Sequence, residues 1–404
     1  MKVKNITFIG LNYYPEDTAI GLYSSQLVEH LENHGFNISV ITGFPYYPQW
    51  EIKQEYKEKA RFLKEKKGNV EVFRYKQYVP KTPTFFKRIL HIIDFTIGSF
   101  FNLLKIKESD LIISVVPFTS SAFLGYIQKK RLKAPLWIHI QDFEFDAALQ
   151  TGLGNKIKGI TFLLLKLEKW IFSKADIAST ISQSMLLKLE KKTNSKTFFL
   201  PNWIDEEKIN PNTFSQHEYL KSSKIKILYS GNIGDKQDWV SFLNFCRDLD
   251  ELRYQVIVVG DGSKKSWLLE QVKELSNVLY YPPVDYNELS NLLCSADLHV
   301  LFQKTEVIDT VMPSKVLGMM ASARPSLLIG NEESEVKNII DLSKGGLYYN
   351  RYSKKVISDL NKIFDNDLLL RIMGQNARNF VVNEFSKKVI LTKMIENINN
   401  LKFI

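Results

Sequence analysis

The chain has 404 residues, of which 45% are hydrophobic and 24% are charged, and its formal net charge is +10. This length is too great for one ordinary hydrophobic core and suits two domains, while the positive charge favours an anionic partner such as nucleic acid, an acidic lipid surface or a phosphorylated substrate. Two cysteines, Cys246 and Cys294, exclude a disulfide framework, and six scattered histidines give no zinc signature.

The amino-terminal residues have a charged start followed by an apolar run that is far shorter than a signal peptide needs. No segment reaches about 18 uncharged apolar residues, the least that a membrane-spanning helix requires. The sequence therefore predicts a cytoplasmic protein.

Short β-rich runs alternate with longer helical patterns along the chain, which is typical of parallel α/β sheets. In the first half, a helix is predicted at residues 21–34 and is closed by Gly35. The strands predicted in this half are residues 5–11, 36–42, 70–74, 110–115, 135–141, 176–181 and 197–200.

A polar segment with two prolines, residues 201–223, is predicted to link two domains. After it the alternation resumes, and the chain ends in a helical region whose last predicted helix is residues 383–400. The strands predicted in this half are residues 225–230, 254–260, 277–281, 297–302 and 326–329. Two parallel sheets joined in this way predict a ligand between them, at the carboxyl ends of the strands.

Two segments of the first half combine apolar and basic residues. Residues 85–107 carry lysines and an arginine near their ends, and residues 155–174 carry five lysines against one glutamate. Basic amphipathic helices can lie on an anionic membrane surface. Core helices with solvated edges have the same pattern, because lysine stems commonly cover apolar surface, so both interpretations stay open.

Residues 306–325 consist of a polar loop that ends at Pro313 and a short helix predicted at residues 314–323. Pro313 and Ser314 suit a helix start. Lys315 lies in the first turn, where a cation opposes the helix dipole unless an anion is also present. Free amides, a hydroxyl and a lysine at a helix N-terminus predict a phosphate-binding site; the alternative is an ordinary strand–loop–helix unit with a surface lysine.

A glycine-containing loop follows the first predicted strand of the second half. Gly231 and Gly234 lie three residues apart, with Asn232 between them and Lys236 two residues further on. This spacing predicts a cradle of backbone amides for a diphosphate.

Gly260 and Gly262 repeat the arrangement of strand, glycine and helix. Because the carboxyl ends of parallel strands share one edge of a sheet, this loop, the preceding one and the pair Ser314 and Lys315 are predicted to converge. Their convergence favours phosphate binding over three unrelated turns.

In the first half, Ile20 and Gly21 lie where a loop gives way to the first helix. A glycine there allows a ligand to approach the helix N-terminus closely, although a single glycine is also common in an ordinary turn. The segment is not the dinucleotide fingerprint, because it lacks G-x-G-x-x-G and no acidic residue closes the second strand.

Polar residues follow the strand predicted at residues 135–141. Asp142 and Glu144 are candidates for a base or for acceptors of substrate hydroxyls, and Gln141, next to His139, can bond a sugar. The alternative is that one of these residues caps the next segment.

The candidate metal signals are weak. Residues 365–367 have the D-x-D spacing that can hold a metal–diphosphate, but they lie between predicted helices, and residues 248–250 close a helix. Both are interpreted as solvated turns, and no metal site is predicted.

The chain contains the stretches NYYPEDTAIGLY with TGFPYYPQW, IHIQDFEFDAALQTG, LPNWID, YSGNIGDKQ, VVGDGS and MPSKVLGMMASARP. Together they resemble family 4 glycosyltransferases of the GT-B fold, especially those that build bacterial capsule, O-antigen and colanic-acid polysaccharides. The subgroup includes enzymes that transfer fucose and N-acetylfucosamine, which favours such a sugar here.

The resemblance implies an α/β architecture of two Rossmann-like parallel-sheet domains facing a cleft. Residues 1–200 would bind the acceptor, residues 201–223 would form the linker and residues 224–382 would bind the nucleotide sugar. Residues 383–404 would form a helix that packs back on the N-terminal domain.

The resemblance also assigns roles to residues. Gly21 and its loop would face the transferred sugar and the acceptor, and the Gly231 loop with Lys236 and Lys315 would hold the donor diphosphate. The predicted catalytic residues are His139, Gln141, Asp142, Lys236 and Lys315. The predicted substrate-binding residues are Ile20, Gly21, Gly231, Asn232, Gly234, Gly260, Gly262, Glu306, Pro313 and Ser314.

Two departures from the family pattern stand out. Many members carry two glutamates eight residues apart, and these positions fall on Thr310 and Gly318 here, which leaves Glu306 as the candidate replacement. The usual arginine after the first glycine of the second domain is Asn232. Diphosphate charge would therefore fall more heavily on Lys236, Lys315 and backbone amides.

The implied reaction is a retaining, metal-independent hexosyl transfer from a UDP- or GDP-sugar co-substrate, with no other cofactor. The acceptor would be an undecaprenyl-diphosphate-linked saccharide, and the basic helices would hold the enzyme on the inner face of the cell membrane. Rival hypotheses are a nucleotide-sugar epimerase of the same fold and a non-catalytic two-domain sugar-binding protein, which predicts a signal peptide. A nucleic-acid partner is not predicted, because the lysine-rich segment is too apolar for a stacking surface.

Overall fold

The computed structural model describes residues 3–17, 19–143, 158–306 and 314–401. The chain forms two compact units. The first unit comprises Met1–Pro201 together with Leu391–Ile404, and the second comprises Asn202–Ile390. Each unit contains its own α/β sheet.

The first unit contains an eight-stranded sheet in the order β3-β4-β2-β1-β5-β6-β7-β8. All neighbouring strands are parallel except β3 and β4, which are antiparallel. The strands are β1 Asn5–Ile9, β2 Asn37–Gly43, β3 Phe62–Lys67, β4 Val70–Tyr75, β5 Leu111–Val116, β6 Leu136–Ile140, β7 Ile177–Thr180 and β8 Lys196–Phe199. Strand β3 is absent from the sequence prediction, which also expects a wholly parallel sheet.

Helices connect these strands, and their boundaries differ slightly from the predicted ones. The first helix begins at Ala19, two residues before the predicted start at Gly21. The helices described here are α1 Ala19–Asn33, α2 Gln54–Lys57, α3 Phe85–Leu103, α4 Thr119–Leu132, α5 Lys158–Phe172 and α6 Gln183–Glu190.

The second unit contains six parallel strands in the order β11-β10-β9-β12-β13-β14. This is the order of a doubly wound Rossmann-like sheet, in which the direction of winding reverses between β9 and β12. The strands are β9 Ile225–Ser230, β10 Tyr254–Val259, β11 Val278–Tyr281, β12 Leu298–Phe302, β13 Ser326–Ile329 and β14 Gly346–Tyr349.

The helices of this part of the chain follow the same alternation and then continue to its end. They are α7 Trp239–Asp248, α8 Lys265–Val272, α9 Leu289–Cys294, α10 Ser314–Ala321, α11 Glu335–Ser343, α12 Lys354–Phe364, α13 Asp367–Phe385 and α14 Lys387–Asn399. The helix predicted at residues 383–400 is thus divided, because Ser386 separates α13 from α14 with an extended backbone.

Local sequence explains where these elements form. Strands β5 and β10 are buried along their whole length, as their continuous apolar composition requires in a sheet covered on both faces. Side chains cap several helices: the Asp238 carboxylate accepts from the Ser241 N–H before α7, and the Asn366 side chain accepts from the Leu369 N–H before α13.

The segment predicted as a linker packs into the second unit from Asn202 onward. Ile209 and Leu220 are buried in the hydrophobic core of that unit, and the Arg378 side chain donates to the Ile209 carbonyl at 2.8 Å. Among the described helices, none combines the length and apolar character that crossing a bilayer requires.

Candidate active site

Two glycine-containing loops leave adjacent strands at the carboxyl edge of the second sheet. Residues 231–238 follow β9, and residues 260–264 follow β10. The Ile233 N–H donates to the Asp261 carbonyl at 2.8 Å, and the Lys264 N–H donates to the Ile233 carbonyl at 2.9 Å. The structure therefore joins the two loops that the sequence predicts to converge.

Glycine at positions 260 and 231 allows close approach. A Cβ atom at Gly260 would lie 1.9 Å from the Gly231 carbonyl oxygen, so no other residue fits there without a backbone shift. Gly231 has a φ of +136°, and a Cβ atom there would lie 3.1 Å from the Lys315 Nζ. Gly260 thus permits the two loops to pack, and Gly231 leaves room for Lys315.

The amides of the four predicted glycines are already used within the second unit. Each N–H donates to a nearby acceptor at 2.8–3.2 Å: Gly231 to the Val259 carbonyl, Gly234 to the Gln237 side chain, Gly260 to the Tyr281 carbonyl and Gly262 to the Asp261 carboxylate. These four N–H groups therefore already have acceptors in the structure, and the amide cradle for a diphosphate stays a prediction. A role for the glycines in shaping a substrate site stays a prediction.

Lys315 lies against the end of β9. Its Nζ is 3.4 Å from the Tyr229 hydroxyl and 5.1 Å from the centre of that ring. Burial raises the pKa of the Tyr229 phenol well above its ordinary value, so the hydroxyl stays protonated and donates to the Asn232 carbonyl at 2.7 Å. The Lys315 Nζ therefore meets a neutral phenol at this contact.

This contact falls at the reversal point of the second sheet. Tyr229 belongs to β9, and Lys315 is the second residue of α10, which follows β12. Ligands of open α/β sheets bind outside the carboxyl ends of the strands at such a point. A lysine beside a helix N-terminus gives the point a positive potential, which suits a phosphate or another anion.

Lys236, the second predicted cation, is exposed, and its carbonyl accepts from the Lys304 N–H at 3.1 Å. The described contacts do not bring its side chain to Lys315. Another lysine, Lys264, forms an ion pair with Asp235 at 3.1 Å and was not predicted, although it ends the second glycine loop. Catalytic contact by Lys236 stays a prediction.

The loop before α10 is described only in part. Glu306 is exposed in a turn after β12. Pro313 and Thr310 lie outside the described residues, and Ser314 is described only as the first residue of α10. The predicted roles of Glu306, Pro313 and Ser314 therefore remain untested by the geometry.

In the first unit, His139 and Gln141 form a buried polar network at the end of β6. The Gln141 amide donates to the His139 Nε2 at 2.9 Å, which leaves the His139 Nδ1–H to donate to the Ser179 hydroxyl oxygen, also at 2.9 Å. Burial lowers the pKa of His139 to about 4, so the ring is neutral. Both ring nitrogens are engaged, which suits a residue that orients Gln141; a catalytic role for either stays a prediction.

Asp142 follows directly and is half-buried, whereas the next residue, Phe143, is buried. Glu144 lies outside the described residues. The structure thus brings His139 and Gln141 together in the core of the first unit and leaves Asp142 nearer the surface, where it remains the predicted acceptor of a substrate hydroxyl.

Glu16 is a candidate functional residue that sequence reasoning missed. It is 2% exposed in the loop after β1. One carboxylate oxygen accepts from the N–H groups of Tyr46 and Tyr47, both at 2.8 Å, and the other accepts from the Asn12 side chain at 2.8 Å. Burial raises the pKa of this carboxyl above its ordinary value, while these hydrogen bonds oppose the rise.

Glu16 also explains the glycine at position 21. A Cβ atom at Gly21 would lie 2.6 Å from the Glu16 Cβ, so the space beside Gly21 is filled by protein. Ile20 is half-buried just before it. The sequence shows only a carboxylate in the loop after the first strand, and this does not reveal that the carboxylate is buried.

Two cations hold the same loop. Arg74, 1% exposed on β4, donates to the Tyr14 carbonyl at 2.6 Å, and the Lys53 Nζ donates to the Pro15 carbonyl at 2.7 Å. The loops at the carboxyl ends of β1 and β2 are therefore held in place by buried and half-buried charged side chains.

No model of a known protein family matches the sequence. Over 357 residues, the chain is 34% identical to WcaI of Escherichia coli (strain K12), which is named as a glycosyl transferase of colanic acid biosynthesis; the match covers 84% of this chain and 86% of that protein. The chain belongs to this family of glycosyltransferases. The uncharacterized glycosyltransferase MJ1069 of Methanocaldococcus jannaschii is 25% identical, with 96% of each chain covered.

Solved structures share the fold of this glycosyltransferase. Sucrose-phosphate synthase from Thermosynechococcus elongatus superposes with a TM-score of 0.72 at 14% identity, covering 98% of both chains. Anabaena HepE in complex with UDP superposes with a TM-score of 0.66 at 11% identity, covering 98% of this chain and all of that one. The predicted α/β fold class, GT-B with two Rossmann-like domains, is confirmed.

Many family members carry two glutamates eight residues apart, and the second of these positions is Gly318 in this glycosyltransferase. This position lies inside the fold. Gly318 is the fifth residue of α10, and a Cβ atom there would lie 3.2 Å from a methyl group of Leu293 and 3.7 Å from one of Ile209. Both neighbours belong to the apolar core. A small residue at 318 is thus explained by packing.

The predicted solvated turns have ordinary structural partners. Asp365 pairs with Arg253 at 2.7 Å, and Asp248 accepts from the Tyr352 hydroxyl at 2.7 Å. Across the described residues, no group of three or more histidine, cysteine, aspartate or glutamate side chains is arranged to hold a metal ion.

Proposed function

We propose that this glycosyltransferase moves N-acetyl-L-fucosamine or L-fucose from a UDP- or GDP-linked donor to an undecaprenyl-diphosphate-linked saccharide, in the synthesis of a bacterial surface polysaccharide. The name of WcaI supports the pathway class. The HepE structures, which hold UDP and UDP-glucose, support a nucleotide-sugar donor. The sequence resemblance to fucose-transferring enzymes supports the sugar.

The observation that carries the proposal is the position of Lys315. Its ammonium lies beside Gly231 and Tyr229 at the reversal point of the second sheet. As a glycosidic bond breaks, negative charge grows on the leaving diphosphate. A fixed cation at the amino end of α10 stabilises that charge without reorganisation, an electrostatic effect that can supply several kcal/mol.

We infer a retaining, metal-independent hexosyl transfer. The diphosphate charge would be met by Lys315 and the amino end of α10, because the four glycine amides are already engaged. The acceptor hydroxyl would attack from the side of the leaving group and pass its proton to a phosphate oxygen. This route needs no carboxylate at position 318.

The test compares two lysines with the same helical position. Lys315→Ala should lower turnover at saturating donor by about 10²–10³, the usual loss for one preorganised donor. Lys355 is exposed and is the second residue of α12 in the same unit, so Lys355→Ala should leave turnover unchanged. Both variants should melt close to the parent, as surface changes usually do.

The measurement is transfer of labelled sugar from a panel of UDP- and GDP-sugars to a lipid-linked acceptor. Near-normal turnover of Lys315→Ala would overturn the assignment of the diphosphate site. Conversion of the nucleotide sugar to an isomer without acceptor would instead identify an epimerase. Inversion at the anomeric carbon of the product would overturn the retaining mechanism.

A further inference from the structure

Aromatic side chains follow four neighbouring strands of the first sheet. Strands β4, β2, β1 and β5 lie side by side and are parallel, so their carboxyl ends meet at one edge of the sheet. Tyr14 after β1 is 63% exposed, Tyr47 after β2 is 37% exposed and Tyr78 after β4 is 43% exposed. Trp50 after β2 and Phe118 after β5 are half-buried. We call these five residues the aromatic edge.

Hydrogen bonds join the loops that carry these rings. The buried Gln77 side chain, in the loop after β4, accepts from the Phe44 N–H at 2.7 Å and donates to the Phe44 carbonyl at 2.9 Å. The Glu16 carboxylate joins the loops after β1 and β2. His91 on α3 donates its Nδ1–H to the Tyr78 carbonyl. The rings are therefore held in place before a ligand binds, which lowers the entropic cost of binding.

The rings of the loop after β2 form one cluster with His91. The centre of the imidazole lies 4.8 Å from that of Tyr46, 5.6 Å from that of Trp50 and 6.5 Å from that of Phe118. Trp50 has a φ of +55°, in the left-handed region that bulky residues rarely adopt. Strain of this kind persists only where the surroundings fix it, and it concentrates at ligand-binding sites.

The imidazole of His91 has one unused hydrogen-bond acceptor. His91 is fully buried, and burial lowers the pKa of its ring below the ordinary value, so the ring is neutral at pH 7. Because Nδ1–H donates to the Tyr78 carbonyl, Nε2 is an acceptor, and no donor within the described part of the chain reaches it. Buried polar atoms without a partner are rare. A ligand hydroxyl that enters between the surrounding rings would supply the missing donor.

Aromatic rings beside a hydrogen-bond acceptor suit a saccharide. A pyranose carries C–H groups on its faces, which pack on aromatic rings, and hydroxyls around its rim, which bond polar atoms. Tyrosine and tryptophan provide such contact with little loss of conformational entropy. Neighbouring strands lie about 4.8 Å apart, so the loops after β4, β2 and β1 span about 10 Å, which is longer than one sugar ring.

We propose that the aromatic edge binds the saccharide of the acceptor, with its sugar rings stacked on Trp50, Tyr47 and Tyr14. This inference rests on the proposed function and deepens it, because it assigns recognition of the acceptor to the sugar and not to the lipid carrier.

The first test measures transfer kinetics with a lipid-linked acceptor that supports turnover. Trp50→Ala, Tyr47→Ala and Tyr14→Ala should each raise the KM for the acceptor about tenfold. The donor Kd, measured by calorimetry, should stay that of the parent, because the proposed donor site lies in the second unit. Trp50→Phe keeps a ring and should recover most of the loss. Trp267→Ala is the matched control, since Trp267 is 42% exposed in the second unit, and its KM for the acceptor should equal that of the parent.

Stability is measured for each variant, because Trp50 is half-buried and has a strained backbone. The Tyr14 ring is 63% exposed, so Tyr14→Ala should melt like the parent and carries the test even if Trp50→Ala fails to fold. An unchanged KM for the acceptor in every variant that melts like the parent would overturn the inference and leave sugar transfer by the enzyme established.

Two competitors separate the sugar from its carrier. The free saccharide, released from the acceptor by mild acid, should inhibit Tyr14→Ala and Trp50→Ala about tenfold less strongly than the parent. Undecaprenyl diphosphate should inhibit the parent and both variants equally. If the variants instead lost inhibition by undecaprenyl diphosphate and kept inhibition by the saccharide, the rings would bind the carrier and the inference would be wrong.

An array of immobilised bacterial surface glycans tests the aromatic edge without donor or transfer. The parent should bind glycans on the array, and Tyr14→Ala and Trp50→Ala should bind them about tenfold more weakly, whereas Trp267→Ala should bind like the parent. A parent that binds no glycan, or variants that bind as it does, would overturn the inference. Glycan binding by a parent that transfers no sugar would support the aromatic edge and contradict the proposed function.

Discussion

The two units hold the loops at the carboxyl ends of their sheets by different means. In the second unit, backbone hydrogen bonds join the loops after β9 and β10, and the missing side chain of Gly260 permits their contact. In the first unit, the loops after β1 and β2 are joined by one carboxylate, that of Glu16, which accepts from Tyr46 and Tyr47.

This difference teaches where each unit is vulnerable. Loops joined by backbone contacts tolerate changes of charge but have no space for an added atom, because interiors are close-packed. Loops joined through a buried carboxylate tolerate small changes of volume, but they leave unsatisfied donors when the acceptor is lost. Substitutions in the two sets of loops can therefore separate the two arrangements.

The largest effect is expected from Gly260→Ala. The added methyl group would meet the Gly231 carbonyl oxygen at 1.9 Å, so the loop must move, and we expect a loss of more than about 3 kcal/mol in the free energy of unfolding together with weaker donor binding. Gly10→Ala is the control, because its φ is not positive and the nearest atom to its Cβ position is a ring carbon of Phe8 at 3.3 Å. Equal stability of the two variants in urea unfolding would contradict the close contact.

Acidification should destabilise the first unit through His139. Its folded-state pKa is about 4, lowered by burial from an ordinary value of 6.5. Between these values the unfolded chain binds a proton that the folded chain does not, so stability is full above pH 6.5, falls as the pH falls and levels off below about 4. The loss is of the order of 3 kcal/mol.

The second unit contains a counterpart, His299, whose pKa burial lowers to about 3. Urea unfolding followed from pH 7 to pH 4 should therefore show destabilisation in both units. His139→Gln should flatten the pH dependence only in the unit to which it belongs. A protein whose stability is constant over this range would show that neither imidazole is held neutral.

A smaller effect is expected from Glu16→Gln. The amide oxygen can still accept from Tyr46 and Tyr47, but the charge is lost and an NH₂ group faces Asn12, so we expect a loss of about 1–2 kcal/mol. Binding of the nucleotide sugar, measured by calorimetry, should not change, whereas the KM for the acceptor should rise. A rise in the donor Kd alone would reverse the assignment of the two units.

Glu51→Gln is the matched control for Glu16, since Glu51 is an exposed carboxylate in the segment after β2 and pairs with Lys57. Exposed ion pairs contribute little, so its melting curve and its KM for the acceptor should match those of the parent.

Removal of divalent metal is expected to have no effect on the rate of transfer. Transfer should persist in excess EDTA, because the proposed site meets diphosphate charge with Lys315 and the amino end of α10. Complete loss of activity with EDTA and its recovery with manganese would contradict the proposed site in the second unit.

The regular core of each sheet could be predicted because its strands are buried runs of apolar residues, as in β5 and β10. Two strands at the edges of the sheets were not predicted. Strand β3 has the polar sequence FLKEKK and is mostly exposed, and β14 is four half-buried residues that begin with glycine. An edge strand pairs with only one neighbouring strand, and the protein covers only part of one of its faces. Its sequence therefore contains few apolar residues from which a strand could be predicted.

The sequence predicts those parts of the candidate site whose position follows from the order of the strands alone. Gly231 follows β9 and Lys315 follows β12, so the reversal point of the sheet brings them together. The state of each hydrogen-bond donor was not predictable, because the sequence does not show that the Gly231 N–H is taken by Val259. Glu16 was missed for the same reason: burial of one carboxylate among several depends on a partner loop thirty residues away.

The path of α14 decides how this chain can be divided. Residues up to Ile390 belong to the second unit, and residues from Leu391 onward belong to the first. Leu391, Met394 and Ile398 are at most 1% exposed, so they fill positions in the first unit that its own amino-terminal segment leaves empty. A polypeptide ending at Pro201 would lack these side chains and expose apolar surface, which makes aggregation the expected fate of that fragment unless the terminal helix is supplied in trans.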